Sequence, residues 1–250
     1  MAGTLSAKQI KFIKSLSQKK FRDEYSLFVV EGEKLVNEAL ASDYNVREVY
    51  RISEIGENSM SRISSLSSPS PALAVIEKKD WSSFSLSSTL DSSLNRSDFL
   101  CLGLDGISDP GNMGTIIRTA DWFGLDYIFA NEGSVDIYNP KCIQATMGAI
   151  FRKKIIYTNL GEVADAFAMR KLPVWGTLLN GENIYSKIDK APKRGLIVMG
   201  NESNGISLEL RARITDKILI PTYPQDAVSS ESLNVATATA IVCALFRKTV

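Results

Sequence analysis

Ile218-Leu219-Ile220-Pro221 is followed by Thr222-Tyr223-Pro224-Gln225-Asp226-Ala227-Val228-Ser229-Ser230-Glu231. The chain then runs on as Ser232-Leu233-Asn234-Val235-Ala236-Thr237-Ala238-Thr239-Ala240-Ile241-Val242-Cys243-Ala244-Leu245-Phe246. The short apolar run reads as a buried strand, the middle as a polar loop, and the last part as a small-residue helix opening at Ser232-Leu233-Asn234. Helical spacing predicts that Val235, Ala238, Ile241, Val242 and Leu245 face inward, leaving Ser232 and Asn234 at the exposed N-terminal end. Strand, polar loop and helix start together form the place where open α/β sheets hold ligands.

Working outward, apolar runs at 99–104, 127–130, 154–157, 174–178, 196–199 and 218–220 alternate with helical stretches at 113–123, 140–151, 161–170, 207–213 and 232–248. This alternation predicts an α/β fold, a parallel sheet with helices on both faces. Upstream, one helix is expected over 6–20, strands over 25–30, 47–52 and 72–76, and a helix over 31–40, which together make a small α/β module. Between them lies a Ser- and Asp-rich stretch without strong periodicity. The expected organisation is therefore a small domain at 1–81, a linker at 82–98 with room for a short helix, and a larger domain at 99–250.

Composition narrows the chemistry. The chain has 250 residues and no histidine, which removes Ser-His-Asp and Cys-His mechanisms and most catalytic metal sites. Cys101, Cys142 and Cys243 are scattered, so neither a metal site nor a disulfide framework is expected. No apolar run approaches the ~20 residues of a membrane span, and no secretory leader is evident, so a soluble, cytoplasmic protein is expected. Net charge is only +1, yet residues 1–22 carry Lys8, Lys11, Lys14, Lys19, Lys20 and Arg22 with no acidic residue. That basic stretch reads either as a solvated helix face or as a phosphate-binding patch, with Lys8, Lys11, Lys14 and Arg22 as candidate nucleic-acid contacts.

Two further strand ends carry polar residues. After Leu104, Asp109-Pro110-Gly111 turns the chain into a helix that starts around Asn112 and stops at Gly124. Asn112 reads equally as a helix cap, whereas Arg118 stands among small and apolar residues, where a guanidinium suits a phosphate. The second is Leu196-Ile197-Val198-Met199-Gly200-Asn201-Glu202, where the absent side chain of Gly200 would let a ligand approach the backbone. Neither a Gly-x-Gly-x-x-Gly fingerprint nor a Gly-Lys-Ser/Thr phosphate loop is present, which disfavours dinucleotide oxidoreductases and nucleotide hydrolases.

Three ordered motifs carry a resemblance. Asp109-Pro110-x-Asn112-x-Gly114-x-x-x-Arg118-Thr119-Ala120, then Met199-Gly200-Asn201-Glu202-x-x-Gly205-Ile206, then Ile220-Pro221 with Ser232-Leu233-Asn234-Val235 resemble the SpoU/TrmH-type RNA 2'-O-ribose methyltransferases. The resemblance covers about 99–250, and Lys11 to Ala39 resembles the small RNA-recognition domain often attached in that family. It implies a C-terminal trefoil knot, which general folding rules would not predict. It also implies a homodimer, S-adenosylmethionine as cofactor and RNA as partner, with ribosomal RNA favoured over transfer RNA. By the same resemblance Gly200, Ile220, Leu233 and Leu178 line the cofactor, while Arg118, Asn112, Glu202, Ser232 and Asn234 surround the methyl-transfer point, with no metal. The loop at 222–231 is longer than is usual in the family and lacks its glycine. Alternative readings are a non-catalytic RNA-binding protein of the same fold and an RNA base methyltransferase of the same superfamily.

Overall fold

A computed structural model describes residues 5–224 and 232–248. Residues 225–231 of the long loop lie outside the described residues. The structure divides into two compact units, one comprising the chain as far as Asp80 with Asp136–Arg152, the other Trp81–Val135 with the chain from Lys153 onward.

In the first unit, α1 (Ala7–Ser15) opens with a capping box in which Gln9 N donates to Ser6 Oγ at 3.2 Å and Ser6 N to Gln9 Oε1 at 3.0 Å. The expected helix over 6–20 is two helices, because the chain turns at Leu16 and restarts as α2 (Lys19–Tyr25). Arg22 stabilises the break. Its Nη1 donates to the carbonyls of Leu16 at 3.0 Å and Ser17 at 2.7 Å, while Nη2 and Nε bind Asp136 Oδ2 at 2.7 and 3.0 Å. At 2% exposure Arg22 cannot present its guanidinium to RNA, which corrects its assignment as a contact. Lys8, Lys11 and Lys14 are exposed on α1.

The unit continues with β1 (Leu27–Glu31), α3 (Glu33–Leu40), β2 (Val46–Arg51), α4 (Ile52–Ile55), α5 (Glu57–Ile63) and β3 (Ala72–Glu77). The strands form an antiparallel sheet in the order β1-β3-β2. Ile13, Leu16, Met60, Ile63, Leu73 and Val75 are buried in one apolar cluster against it.

The second unit begins with α6 (Leu86–Ser93), inside the stretch expected to be a linker. Leu90 of this helix is fully buried beside Phe99 and Phe167, so 86–93 is part of the fold. The following strand, β4 (Leu100–Asp105), is buried along its whole length and needs cover on both faces. Next come α7 (Pro110–Trp122), β5 (Tyr127–Ala130), and α8 (Pro140–Thr146), which belongs to the first unit. Then follow β6 (Lys154–Tyr157), α9 (Leu160–Met169), β7 (Val174–Asn183), α10 (Ile184–Lys187), β8 (Gly195–Gly200), α11 (Leu208–Arg211), β9 (Asp216–Leu219) and α12 (Val235–Phe246). The six strands are parallel throughout, in the order β6-β5-β4-β8-β7-β9.

The inward face of α12 differs from the expected one. Val235, Ala236, Thr239, Val242, Cys243 and Phe246 are buried, while Ala238, Ile241 and Leu245 are half-buried. Two contacts set this rotation. Phe246 meets the Trp175 ring edge-on at 5.1 Å, and the Arg247 guanidinium donates to the carbonyls of Phe123, Gly124 and Asp98 at 3.0, 3.0 and 2.7 Å. The last carbonyls of α7 thereby gain a charged donor. Cys101, Cys142 and Cys243 are buried free thiols, and burial pushes Cys243 up to about 12.

Candidate active site at the ends of the central strands

The two central strands end side by side, with Asp105 of β4 in register with Gly200 of β8. From β4 the chain proceeds toward β5 and β6, whereas β7 and β9 lie on the other side, so this is the topological switch point of the sheet. Beyond it the ladder of main-chain bonds stops, and side chains hold the loops.

Asp105 is buried, with Oδ1 accepting from Asn131 Nδ2 and Oδ2 from Ser207 N, both at 2.7 Å. Gly106 turns at φ +72°, donates to Asn131 Oδ1 at 2.9 Å, and accepts Asn201 Nδ2 at 2.7 Å. Asn201 Oδ1 takes the N–H groups of Ser203 and Asn204 at 2.9 and 3.0 Å, and its main chain exchanges bonds with Gly205 at 3.0 and 2.9 Å. This folds residues 201–205 back on themselves. A Cβ on Gly200 would lie 2.2 Å from both Gly205 C and Ile206 N. The space expected to admit a ligand is filled by the chain itself, and the glycine is required by that close approach.

The start of α7 also differs from expectation. Asp109 is the cap, accepting Asn112 N at 2.7 Å, with Pro110 in the first turn, so the side chain of Asn112 is free for other work. Asn112 Nδ2 donates to Glu202 Oε1 at 3.0 Å, and Asn112 Oδ1 accepts from Asn234 Nδ2 at 2.9 Å. Asn234 in turn caps α12, its Oδ1 receiving Ala236 N at 2.9 Å and Thr237 N at 3.2 Å. Because a carboxylate only accepts, this chain has one direction, from the N-terminus of α12 through two amides to Glu202. Partial burial pushes the Glu202 carboxyl upward, but hydrogen bonds from Asn112 and Ser108 outweigh it and hold the group below the ordinary glutamate range.

Of the sequence candidates, Asn112, Glu202 and Asn234 meet in this network. Arg118 does not join it: it is exposed on α7, with no hydrogen bond or ion pair among the described residues. Ser232 and Leu233 are exposed just ahead of α12. Ile220 and Leu178 are half-buried past the ends of the regular β7–β9 pairing, Leu178 packing on the apolar core. Asp105, Ser108, Asn131 and Asn201 are network members that sequence reasoning missed. Asp105, an acidic residue closing an otherwise apolar strand, was the available signal.

An all-parallel α/β domain with a polar cluster at its switch point, preceded by an antiparallel module, defines a two-part ligand-binding protein. The chain belongs to the SpoU rRNA Methylase family, whose sequence model matches residues 100–244; residues 7–79 match the MRM3-like substrate binding domain. The 23S rRNA (guanosine(2553)-2'-O)-methyltransferase RlmP of Bacillus subtilis (strain 168) is 30% identical over 94% of both chains. A protein assigned to the TrmH family of RNA methyltransferases, from Porphyromonas gingivalis, superimposes with a TM-score of 0.83 at 36% identity, covering 98% of this chain and 99% of that one. The AdoMet-bound rRNA methyltransferase of Sinorhizobium meliloti does so with a TM-score of 0.82 at 28% identity, covering 99% and 97%. No helix among the described residues is long and apolar enough to cross a membrane.

Proposed function

We propose that this chain is a cytoplasmic, S-adenosylmethionine-dependent methyltransferase acting on a ribose 2'-hydroxyl of ribosomal RNA. The observation that carries the reading is the one-directional chain Asn234–Asn112–Glu202, which sets a carboxylate held ionised at the switch point of the sheet. The family and the substrates named for its relatives agree with it.

The residues present fit the cofactor. Leu179 within β7, Tyr223 beyond β9 and Leu233 ahead of α12 are exposed large apolar side chains, and an adenosyl group would cover them as burial favours. With Ile220, Leu178 and Leu233 as its wall, S-adenosylmethionine would supply a methyl group activated by its sulfonium. The trefoil knot belongs to this proposal.

Positioning dominates the chemistry this chain performs. Well-oriented reactants gain about 7–11 kcal/mol from proximity, against about 10²–10⁴-fold from a general base. Asn112 and Asn234 hold Glu202, whose carboxylate orients the hydroxyl, and the proton leaves through the target phosphate, Glu202 or water. A guanidinium keeps its proton at any physiological pH, so Arg118 acts as a clamp on the target phosphate and not as a base. Ser232 lies free beside Asn234 to orient the ribose. A homodimer is part of the reading: α7 and α12 pack together, Trp122 is 85% exposed, and Ile241 and Leu245 are only half-buried. Trp122→Glu should yield a monomer in sedimentation analysis.

The test is nucleoside mass spectrometry of ribosomal RNA incubated with the protein and S-adenosylmethionine. A 2'-O-methylated nucleoside is the expected product; a base-methylated nucleoside or none overturns the reading. In single-turnover assays at saturating RNA, Arg118→Lys should remain impaired, because lysine lacks the planar two-point fork; full activity would reject the clamp.

A further inference from the structure

The first unit contains a cavity of about 260 Å³ that the methyl-transfer reading does not use. It lies between α1, β1, the end of α5 and α8, all within that unit. Its size is just under the about 300–1,000 Å³ of small-molecule sites, which suits one heterocycle. Ile13, Leu16, Val29, Ile63 and Ile143 give it an apolar lining. Set into this lining is Glu31, a carboxylate only 5% exposed.

Most of the hydroxyl and amide hydrogens around the cavity are already committed. Ser64 Oγ donates to Glu31 Oε2, Ser65 Oγ and Ser65 N donate to Glu31 Oε1, and Ser17 Oγ donates to the carbonyl of Lys14 at 2.8 Å. Gln144 Nε2 donates to the carbonyl of Glu31 at 2.8 Å, and since a carbonyl can only accept, the amide is fixed with its oxygen turned away from that bond. What the walls chiefly offer a ligand is lone pairs, namely the second site on Glu31 Oε2, the hydroxyl oxygens of Ser17 and Ser65, and Gln144 Oε1, beside the second N–H of Gln144 Nε2. Among the described residues the lining holds one cation, Lys14, exposed at the rim.

An apolar cavity with an acceptor-rich wall and a cation at its mouth favours a ligand with adjacent donors and an attached anion. Among nucleobases, guanine alone presents two neighbouring donor groups, N1–H and N2–H₂, on its Watson–Crick edge. Adenine, cytosine and uracil each place an acceptor next to their donor, which a carboxylate repels. Unstacked bases of single-stranded RNA are read along this edge. We propose that this cavity receives a guanine base of the substrate RNA, with Glu31 accepting from its Watson–Crick edge and Lys14 meeting a flanking phosphate. The proposal rests on the reading of the chain as an RNA-modifying enzyme, and it adds a base-reading site in the unit that matches a substrate binding domain.

The test uses the full chain with ¹³C-labelled isoleucine methyls and no cofactor, titrated by NMR with the pentanucleotides UUGUU, UUAUU and UUIUU, where I is inosine, which lacks the N2 amine. Expected are shifts of the Ile13, Ile63 and Ile143 methyls with UUGUU. UUIUU should bind about fivefold more weakly, the loss of one hydrogen bond worth about 1 kcal/mol. Glu31→Gln should abolish the preference for guanine, and Lys14→Gln should weaken all three ligands alike. Absence of shifts at these methyls, or equal affinity for the three ligands, overturns the proposal. The comparison of UUGUU with UUIUU needs only the native chain, so misfolding of Glu31→Gln leaves the test standing. Methyl transfer without guanine selectivity sinks this site alone; guanine binding without methyl transfer sinks only the catalytic reading.

Discussion

Gly200→Ala adds a single methyl group, and the structure gives its consequence. The new Cβ would stand 2.2 Å from Gly205 C, 2.2 Å from Ile206 N and 2.6 Å from Gly205 O, where real Cβ atoms do not come within 3.0 Å. The neighbours are backbone and cannot rotate away, so the 201–206 turn must move by roughly 0.8 Å or more. The bonds at stake span 2.7–3.0 Å: Asn201 with Gly205, Ser207 N with Asp105, and Asn112 with Glu202. Overpacking costs about 1–3 kcal/mol and each lost hydrogen bond about 1 kcal/mol, so the variant should lose about 2–5 kcal/mol in urea unfolding. Displacing Glu202 by such a distance should also slow single-turnover methylation by about 10²-fold. Gly103→Ala is the control: it lies on the neighbouring strand, where the nearest atoms are side-chain carbons of Leu196 and Val198 at 3.6 Å. It should be neutral in both assays. A Gly200→Ala protein within about 0.5 kcal/mol of the native one, with native rate, would refute the argument.

Arg22→Ala leaves Asp136 and two main-chain carbonyls without their donor, and breaking such a buried pair costs about 3–5 kcal/mol. Urea midpoints check this, and Arg22→Met should cost nearly as much, because the loss is of donors and not of packing. Glu202 has a folded-state pKa below its unfolded value, so its contribution to stability is complete above about pH 4.3 and disappears as pH falls through the lower folded value. The stability difference between the native chain and Glu202→Gln, followed by denaturant titration from pH 7 downward, should therefore shrink in that acid window; a difference independent of pH would contradict it. Replacing Lys8, Lys11 and Lys14 with glutamine should lower RNA affinity and flatten the dependence of log K on log salt by up to about 0.9 per lost duplex phosphate contact. An unchanged slope would remove α1 from the RNA surface.

The parallel sheet was legible because its two central strands are buried on both faces and therefore appear as uninterrupted apolar runs, as in Leu196-Ile197-Val198-Met199. Asn112, Glu202 and Asn234 were legible because polar residues follow such runs at strand ends. Arg22 was misread for a reason that local sequence cannot overcome. It sits among exposed lysines, and its partner Asp136 lies 114 residues away. Leu90 was hidden in the same way, one of four apolar residues in the serine-rich stretch 82–98, buried in a cluster whose other members lie outside that stretch, Phe99 and Phe167 among them. Gly200 was read as leaving room for a ligand, but what its missing side chain admits is the backbone of a turn five residues later, which periodicity does not reveal.

The site divides its polar groups into two kinds. Asp105, Asn131, Asn201, Asn112 and Asn234 spend their hydrogen bonds on one another, on Glu202 and on the main chain of the loops, so the loops are held without help from a ligand. Arg118 and Ser232 are exposed and have no such commitments among the described residues. A site that works by alignment needs this division, because groups that fix geometry must not be recruited by the substrate, and groups that grip the substrate must not be tied down beforehand. Glu202 belongs to both kinds: anchored through Asn112, it still has lone pairs to spare on its oxygens. Loosening Asn112 or Asn234 should therefore act on the reaction through Glu202, while changing Arg118 should act on the substrate directly.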